Sequence, residues 1–318
     1  VGEVTVTAVA ARDFSRAEGF ALRHGIPKAY GGYDEMLADP DIDAVYNPLP
    51  NSLHGPWTLK ALEAGKHVLC EKPFASNAAQ AQQVADAAEA SGLLVMEAMH
   101  YRYHPLIHRL RELVAELGPV RHIQCWTSFV IEDPDDIRYD YDLAGGALMD
   151  GGCYAIDCLR LLGGDPSVSG ALADPWPGGA ADEQEAAGEL EAADRAVAVG
   201  LAFPGGATGW FESAFTRIGE FRADVHVSCR DGQVWLQNFI QAHQGRLMAT
   251  RKGVLFADEY GSGDTTYTWQ LRAFAAAIAA ANEGSSGDEA LPTSAAHAVV
   301  TMRVIDDAYR AAGLALRP

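Results

Sequence analysis

The stretch Ala64-Gly65-Lys66-His67-Val68-Leu69-Cys70-Glu71-Lys72-Pro73 decides how this chain folds. Residues 67–70 form a short apolar run that leads without a break into a Glu-Lys-Pro turn, the pattern of a buried strand and its exit. On either side the same unit recurs. The sequence predicts helices at 33–38, 53–64 and 77–91 and strands at 44–47 and 93–97, and the chain opens with a β-rich run at 4–10 followed by a helical pattern through Phe20, Ala21 and His24. Strands alternating with helices of this length indicate an α/β protein with a parallel, doubly wound Rossmann-type sheet. Such sheets bind ligands outside the carboxyl ends of their strands, where Lys72 stands.

After Pro105 the pattern changes. A basic helix at 106–117 ends at Gly118-Pro119, a turn signal, and a long alternating segment follows from Val120 to Ile131. The boundary is placed there, giving a first domain over 1–118 and a second over 119–318. The second domain reads as α+β with a large mixed or antiparallel sheet, its strands at 121–131, 167–172, 196–203, 208–216, 223–229 and 233–236. Turns are read at Pro204-Gly205-Gly206 and Arg230-Asp231-Gly232. A helix at 147–162 interrupts the strands, residues 175–194 read as a mobile loop, and helices at 268–282 and 294–312 close the chain, returning toward the first domain.

A net charge of −19 over 318 residues argues against a nucleic-acid or anionic-membrane partner, because phosphate binding needs a concentrated positive field. The five cysteines lack metal-ligand or redox spacing and read as reduced core residues. His100, His104 and His108 have helical metal-ligand spacing, but Pro105 breaks that helix, and no metal is expected. A cytoplasmic enzyme is the resulting expectation.

The run 64–73 resembles the signature of the glucose-fructose oxidoreductase / inositol dehydrogenase (GFO/IDH/MocA) family of NAD(P)-dependent enzymes. A second segment, Gly145-Gly146-Ala147-Leu148-Met149-Asp150-Gly151-Gly152-Cys153-Tyr154, is similar to the family's Gly-Gly-x-Leu-x-Asp-x-Gly-x-His/Tyr pattern. Tyrosine at its last position resembles the form found in glucose-fructose oxidoreductase and in the dimeric dihydrodiol dehydrogenases, to which the NADP-linked D-xylose dehydrogenases are related. What the resemblance implies is a hydride transfer between a nicotinamide cofactor and a hydroxyl or carbonyl carbon of a sugar or cyclic diol. A family dinucleotide fold begins with a strand and a G-x-G-x-x-G/A turn; none occurs in these 318 residues, so about 30 residues of β-turn-α are expected to be absent.

Within that resemblance Tyr154 is the expected acid/base. A phenol with a pKa near ~10 is poorly poised at neutral pH, so Lys72 is expected to stabilise its phenolate, Asp150 to position substrate or tyrosine, Glu71 to orient the lysine and Pro73 to fix the turn through a cis bond. The alternatives are a solvated Lys72, a core-edge Tyr154 and a helix-entry charge at Asp150. The double glycine at 145–146 reads as a flexible entry. Ala10-Ala11-Arg12-Asp13-Phe14-Ser15-Arg16 resembles the dihydrodiol dehydrogenase run in which two arginines meet the NADP phosphate, so Arg12 and Arg16 point to NADP over NAD, with Asp13 as a complication; otherwise they are an i,i+4 surface pair. Pro50, Asn51 and His54 are expected beside the nicotinamide ribose. Glu97 and Arg102 are expected in the substrate cleft, and Phe129 and Arg138 on its far face, although an aromatic on a strand is as readily core. The family implies a homodimer or homotetramer through the open face of the second sheet. A non-catalytic NAD(P)-sensing regulator and a member unable to bind cofactor are the competing readings.

Overall fold

The computed structural model describes residues 4–176, 190–216, 221–283 and 291–318. Most of the loop expected over 175–194 lies outside these residues.

The first half is α/β. Strands β1 (Ala8–Ala10) and β2 (Lys28–Tyr30) pair in parallel around helix α1 (Phe14–His24), and α2 (Tyr33–Leu37) follows. A second parallel set comprises β3 (Ala44–Asn47), β4 (His67–Cys70) and β5 (Val95–Glu97), linked by α3 (His54–Glu63) and α4 (Ala78–Ser91). All four residues of β4 are buried, as expected of a central parallel strand covered on both faces. The helix ends follow local rules. Asn77 caps α4 by accepting from Gln80 N, and Gly25 and Gly92 close α1 and α4 in the left-handed conformation. β1 is shorter than the run read from the sequence, and β2, three residues long, was not anticipated.

Helix α5 (Pro105–Glu116), with Pro105 in its first turn, leads into an eight-stranded sheet of order β13-β12-β11-β10-β6-β9-β8-β7. Its strands are β6 (Val120–Val130), β7 (Ser167–Pro175), β8 (Asp194–Ala202), β9 (Thr208–Thr216), β10 (Arg222–Cys229), β11 (Gly232–Gln237), β12 (Arg246–Arg251) and β13 (Val254–Tyr260). Only β6 and β9 run parallel; every other pairing is antiparallel. Alternate residues of β6, β9 and β10 are buried, so one face is packed while the other is half covered. Helix α6 (Cys153–Gly163) lies on the packed face, entered through a π-helical turn at Leu148–Gly152. Finally α7 (Thr266–Asn282) and α8 (Ala295–Ala311) run back to the first half. There α8 packs on α4, Glu97 N donates to Thr293 O at 2.8 Å, and one hydrophobic cluster runs continuously from Leu37 to Leu314. This shared core holds the end of β4 against the start of α6.

Among the described residues no helix is long and apolar enough to cross a membrane, and all five cysteines are buried and unpaired.

Candidate active site

Lys72 follows directly from β4, and the Lys72–Pro73 peptide is cis. Its side chain is mostly buried and reaches across to the π-helical turn, where Nζ lies 2.5 Å from Asp150 Oδ1 and 3.2 Å from the Asp150 carbonyl oxygen. Burial disfavours the ammonium, but the Asp150 carboxylate outweighs it and holds Lys72 above the ordinary lysine range. Asp150 responds in the opposite sense. Burial alone would raise its carboxyl; Lys72, and then Arg138 with Nε 3.3 Å from Oδ2, bring it below the usual carboxylate range. The pair is therefore an ammonium and a carboxylate at neutral pH.

The turn carrying Asp150 is pinned. A Cβ on Gly146, whose φ is +134°, would fall 2.1 Å from Asp194 Oδ1, and one on Gly151 would meet Ser213 Oγ at 2.5 Å. Asp194 accepts from Leu148 N at 2.7 Å and from the wholly buried Arg317 at 2.8 Å, while Arg317 Nε donates to Gly145 O. The double glycine is thus required for close packing and is not a flexible entry.

One turn on, Tyr154 enters the same space. Its hydroxyl lies 3.2 Å from His100 Nε2, and His100 Nδ1 lies 2.9 Å from Thr266 Oγ1. The Tyr267 ring stacks on His100 with centroids 4.0 Å apart. Burial, reinforced by the charge of Glu71, pushes the Tyr154 phenol well above the ordinary tyrosine range. Burial likewise pushes His100 down to about 3, helped by the nearby Lys72 and His243, so the imidazole is neutral. Lys72 Nζ sits 5.2 Å from the centre of the Tyr154 ring. The hydrogen bonds of the lysine go to Asp150, because a buried carboxylate competes for the ammonium better than a neutral phenol, and it meets Tyr154 through proximity alone.

Lys72, Asp150, Tyr154 and His100 line a single cavity of about 490 Å³, together with Phe129, Arg138, Asp136, Glu132, Asp133 and Tyr267. Phe129 and Arg138 thus line it. Glu97 and Arg102 do not. The Glu97 side chain is wholly buried away from the cavity, and burial, with Asp157 adding to it, raises its carboxyl to about 8. Arg102 donates to Asp157 at 2.9 Å in a buried cluster that includes Tyr101 and His297. Both face the seam between β5, α6 and α8, since the chain turns inward after β5.

Around the cofactor end, Glu71 accepts from the Tyr46 hydroxyl at 2.7 Å and from Lys72 N at 3.1 Å, so it orients the lysine through its backbone. His54 is buried between two carbonyl oxygens, Pro73 O and Leu49 O, each 2.6 Å from a ring nitrogen. It ties the Pro73 turn to the loop bearing Pro50, and its polar edges are committed to backbone. Asn51 donates to Ala144 O at 3.0 Å, joining that loop to the turn before Gly145. Arg12 and Arg16 are exposed beyond β1. Asp13 between them caps α1, accepting from Ser15 N at 2.8 Å and Ser15 Oγ at 2.7 Å. With the Asp13 carboxylate turned to its own helix and exposed arginines at 12 and 16, the segment carries donors of a kind suited to a phosphate. No cluster of three or more metal-ligating side chains exists among the described residues.

Sequence reasoning missed His100 and Tyr267 as cavity residues. His100 is 54 positions from Tyr154, and only the register between the turn after β5 and α6 brings them together.

Residues 2–99 match the family described as "Oxidoreductase family, NAD-binding Rossmann fold", and residues 107–235 match the GFO/IDH/MocA C-terminal domain. A D-xylose 1-dehydrogenase (NADP(+)) of Haloferax volcanii is 50% identical over 52% of this chain and 51% of its own length. A trans-1,2-dihydrobenzene-1,2-diol dehydrogenase of Sus scrofa is 36% identical over 67% of this chain and 61% of its own. The chain thus spans about half to three fifths of the curated relatives it matches. Among solved structures, a 3-ketoreductase from Actinomadura kijaniata in complex with NADP and TDP-benzene superposes with a TM-score of 0.80 at 27% identity, covering 95% of this chain and 87% of that one.

Proposed function

The chain belongs to the GFO/IDH/MocA oxidoreductase family, and on that footing we propose that it is an NADP-dependent oxidoreductase interconverting a hydroxyl and a carbonyl group on a sugar or cyclic diol. The observation that carries this reading is the convergence of Lys72, Asp150 and Tyr154 on one cavity. The nicotinamide dinucleotide, when bound, supplies the hydride exchange. The chain does the rest. Tyr154, uncharged, gives its proton to a substrate carbonyl oxygen in reduction and recovers it from the alcohol in the reverse sense. Lys72, held charged by Asp150, places a cation beside the oxygen on which negative charge develops. Arg138 steadies Asp150 from the outer side, and Phe129 offers an apolar wall to the ring of the substrate.

Residues 1–118 are proposed to hold the dinucleotide, with Arg12 and Arg16 at its 2′-phosphate and the Pro50–Asn51 loop and Pro73 turn near the nicotinamide. The named activities of the similar proteins from Haloferax volcanii and Sus scrofa support the choice of NADP and of sugars or diols. Residues 119–318 are proposed to bind substrate and to form a cytoplasmic homodimer or homotetramer through the half-covered sheet face that presents Trp126 and Trp210.

Titration with NADPH and NADH, followed by quenching of the six tryptophans, tests the cofactor assignment. Tighter binding of NADPH is expected. Equal or tighter binding of NADH would overturn it.

A further inference from the structure

Resting on the assignment of Tyr154 as acid/base, we infer that His100 is a positioning residue for that step, a neutral imidazole that donates from Nε2 to the Tyr154 oxygen while its Nδ1 accepts from the Thr266 hydroxyl. Three observations converge on it. His100 Nε2 lies 3.2 Å from the phenolic oxygen and is the partner this hydroxyl has among the described residues, while Nδ1 lies 2.9 Å from Thr266 Oγ1. The Tyr267 ring stacks on it, 4.0 Å away with a tilt of 28°, which favours the orientation that turns its edge to the phenol. It also belongs to the wall of the cavity that holds Lys72 and Asp150.

The tautomer follows from what the tyrosine must do. A phenol that hands its proton to a substrate carbonyl cannot also donate to His100, so the imidazole has to be the donor. In reduction the Tyr154 O–H bond breaks and a bond from that proton to the substrate oxygen forms. Its electron pair stays on the tyrosine as phenolate, and the hydride supplied by the reduced nicotinamide completes the alcohol carbon. The new charge on Tyr154 is then met by His100 Nε2–H. The titratable and charged groups facing His100 are Lys72 beyond β4, Tyr154 on α6, Tyr267 on α7 and His243 from the 242–244 turn. Both Lys72 and His243 disfavour an imidazolium, and burial does so more strongly. An imidazolium would add a second buried cation near Lys72.

The test reads the imidazole directly. Long-range 1H–15N NMR of the full chain, with the His100 signal assigned by its loss in His100→Gln, is expected to show the Nε2–H tautomer at neutral pH and no protonation down to about pH 5, below the ordinary histidine range. An Nδ1–H tautomer, or an imidazolium at neutral pH, would overturn the inference. Kinetics supply the second arm. His100→Leu is expected to lower kcat about a hundredfold with KM within about twofold and to move the alkaline limb of the pH profile upward, whereas His100→Gln, which keeps an N–H donor, restores most of the rate. Full activity in His100→Leu would refute it. If Tyr154→Phe kept wild-type turnover, the acid/base assignment would fail on its own account, and the tautomer would still judge the His100 geometry.

Discussion

Lys72 Nζ stands 2.5 Å from Asp150 Oδ1 and 5.2 Å from the centre of the Tyr154 ring, so the lysine is the counter-ion of an aspartate first and a neighbour of the tyrosine second. Removing it acts on both. Lys72→Met leaves a buried carboxylate with only Arg138 beside it and is expected to cost about 3–5 kcal/mol of stability, as for other broken buried pairs, together with loss of turnover. In the double variant Lys72→Met, Asp150→Asn the stability loss should be smaller than the sum of the two singles. Urea unfolding of the four proteins measures the coupling, and additive losses would show that the pair is not an energetic unit.

Arg12 and Arg16 carry the phosphate assignment, while Asp13 caps its helix. Arg12→Ala and Arg16→Ala should each weaken NADPH binding about ten- to hundredfold and leave NADH nearly unchanged. Asp13→Ala should lower the stability of α1 with no loss of the preference for NADPH. A drop in NADH affinity as large as that for NADPH would place these arginines away from the 2′-phosphate.

The outer wall of the cavity carries Glu132, Asp133 and Asp136, against the single guanidinium of Arg138. Such a rim repels anions. A neutral aldose should therefore be turned over with a kcat/KM about tenfold or more above that of its phosphate ester, and the gap should narrow in high salt. Preference for the ester would contradict the reading.

Glu97 offers a test of the fold. Its carboxyl, raised to about 8 by burial and then by Asp157, binds a proton in the folded chain across the window from the ordinary value of 4.5 up to about 8, where the unfolded chain does not. Stability must fall as pH rises through that window. Glu97→Gln cannot lose this proton, so its advantage over wild type should be absent near pH 4 and grow toward pH 8. Unfolding midpoints of the two proteins across that range decide it, and a constant difference would mean that Glu97 is ionised in the fold.

The parts legible in the sequence were those fixed by local physics. Three apolar residues, Val68 to Cys70, running into Glu71-Lys72-Pro73 read as a buried parallel strand, and its carboxyl end opens on the cavity. Asp150 and Tyr154, close in sequence, were legible as a pair because one stretch of helix carries both. What escaped depended on distant register or on disguised turns. The β12–β13 hairpin turns through Lys252 and Gly253, with φ of 51° and 78°, a conformation usually announced by asparagine or aspartate at the first position. Arg102 read as a cleft residue because residues 96–105 resemble the family segment that enters the substrate cleft. Its partner Asp157 sits 55 positions away, and nothing local shows that the two would neutralise each other in the seam. His100 was passed over for the same reason, its contact with Tyr154 being made only once β5 and α6 are packed.

Tyr154 is the group proposed to move the proton in an NADP-linked oxidoreduction. The most direct measurement is steady-state turnover of neutral aldoses and trans-diols by wild type and Tyr154→Phe, each with NADP and with NAD. Wild type should work with NADP in preference to NAD, and Tyr154→Phe should lose about a hundredfold or more in kcat while still binding NADPH. Wild-type turnover by Tyr154→Phe would contradict it.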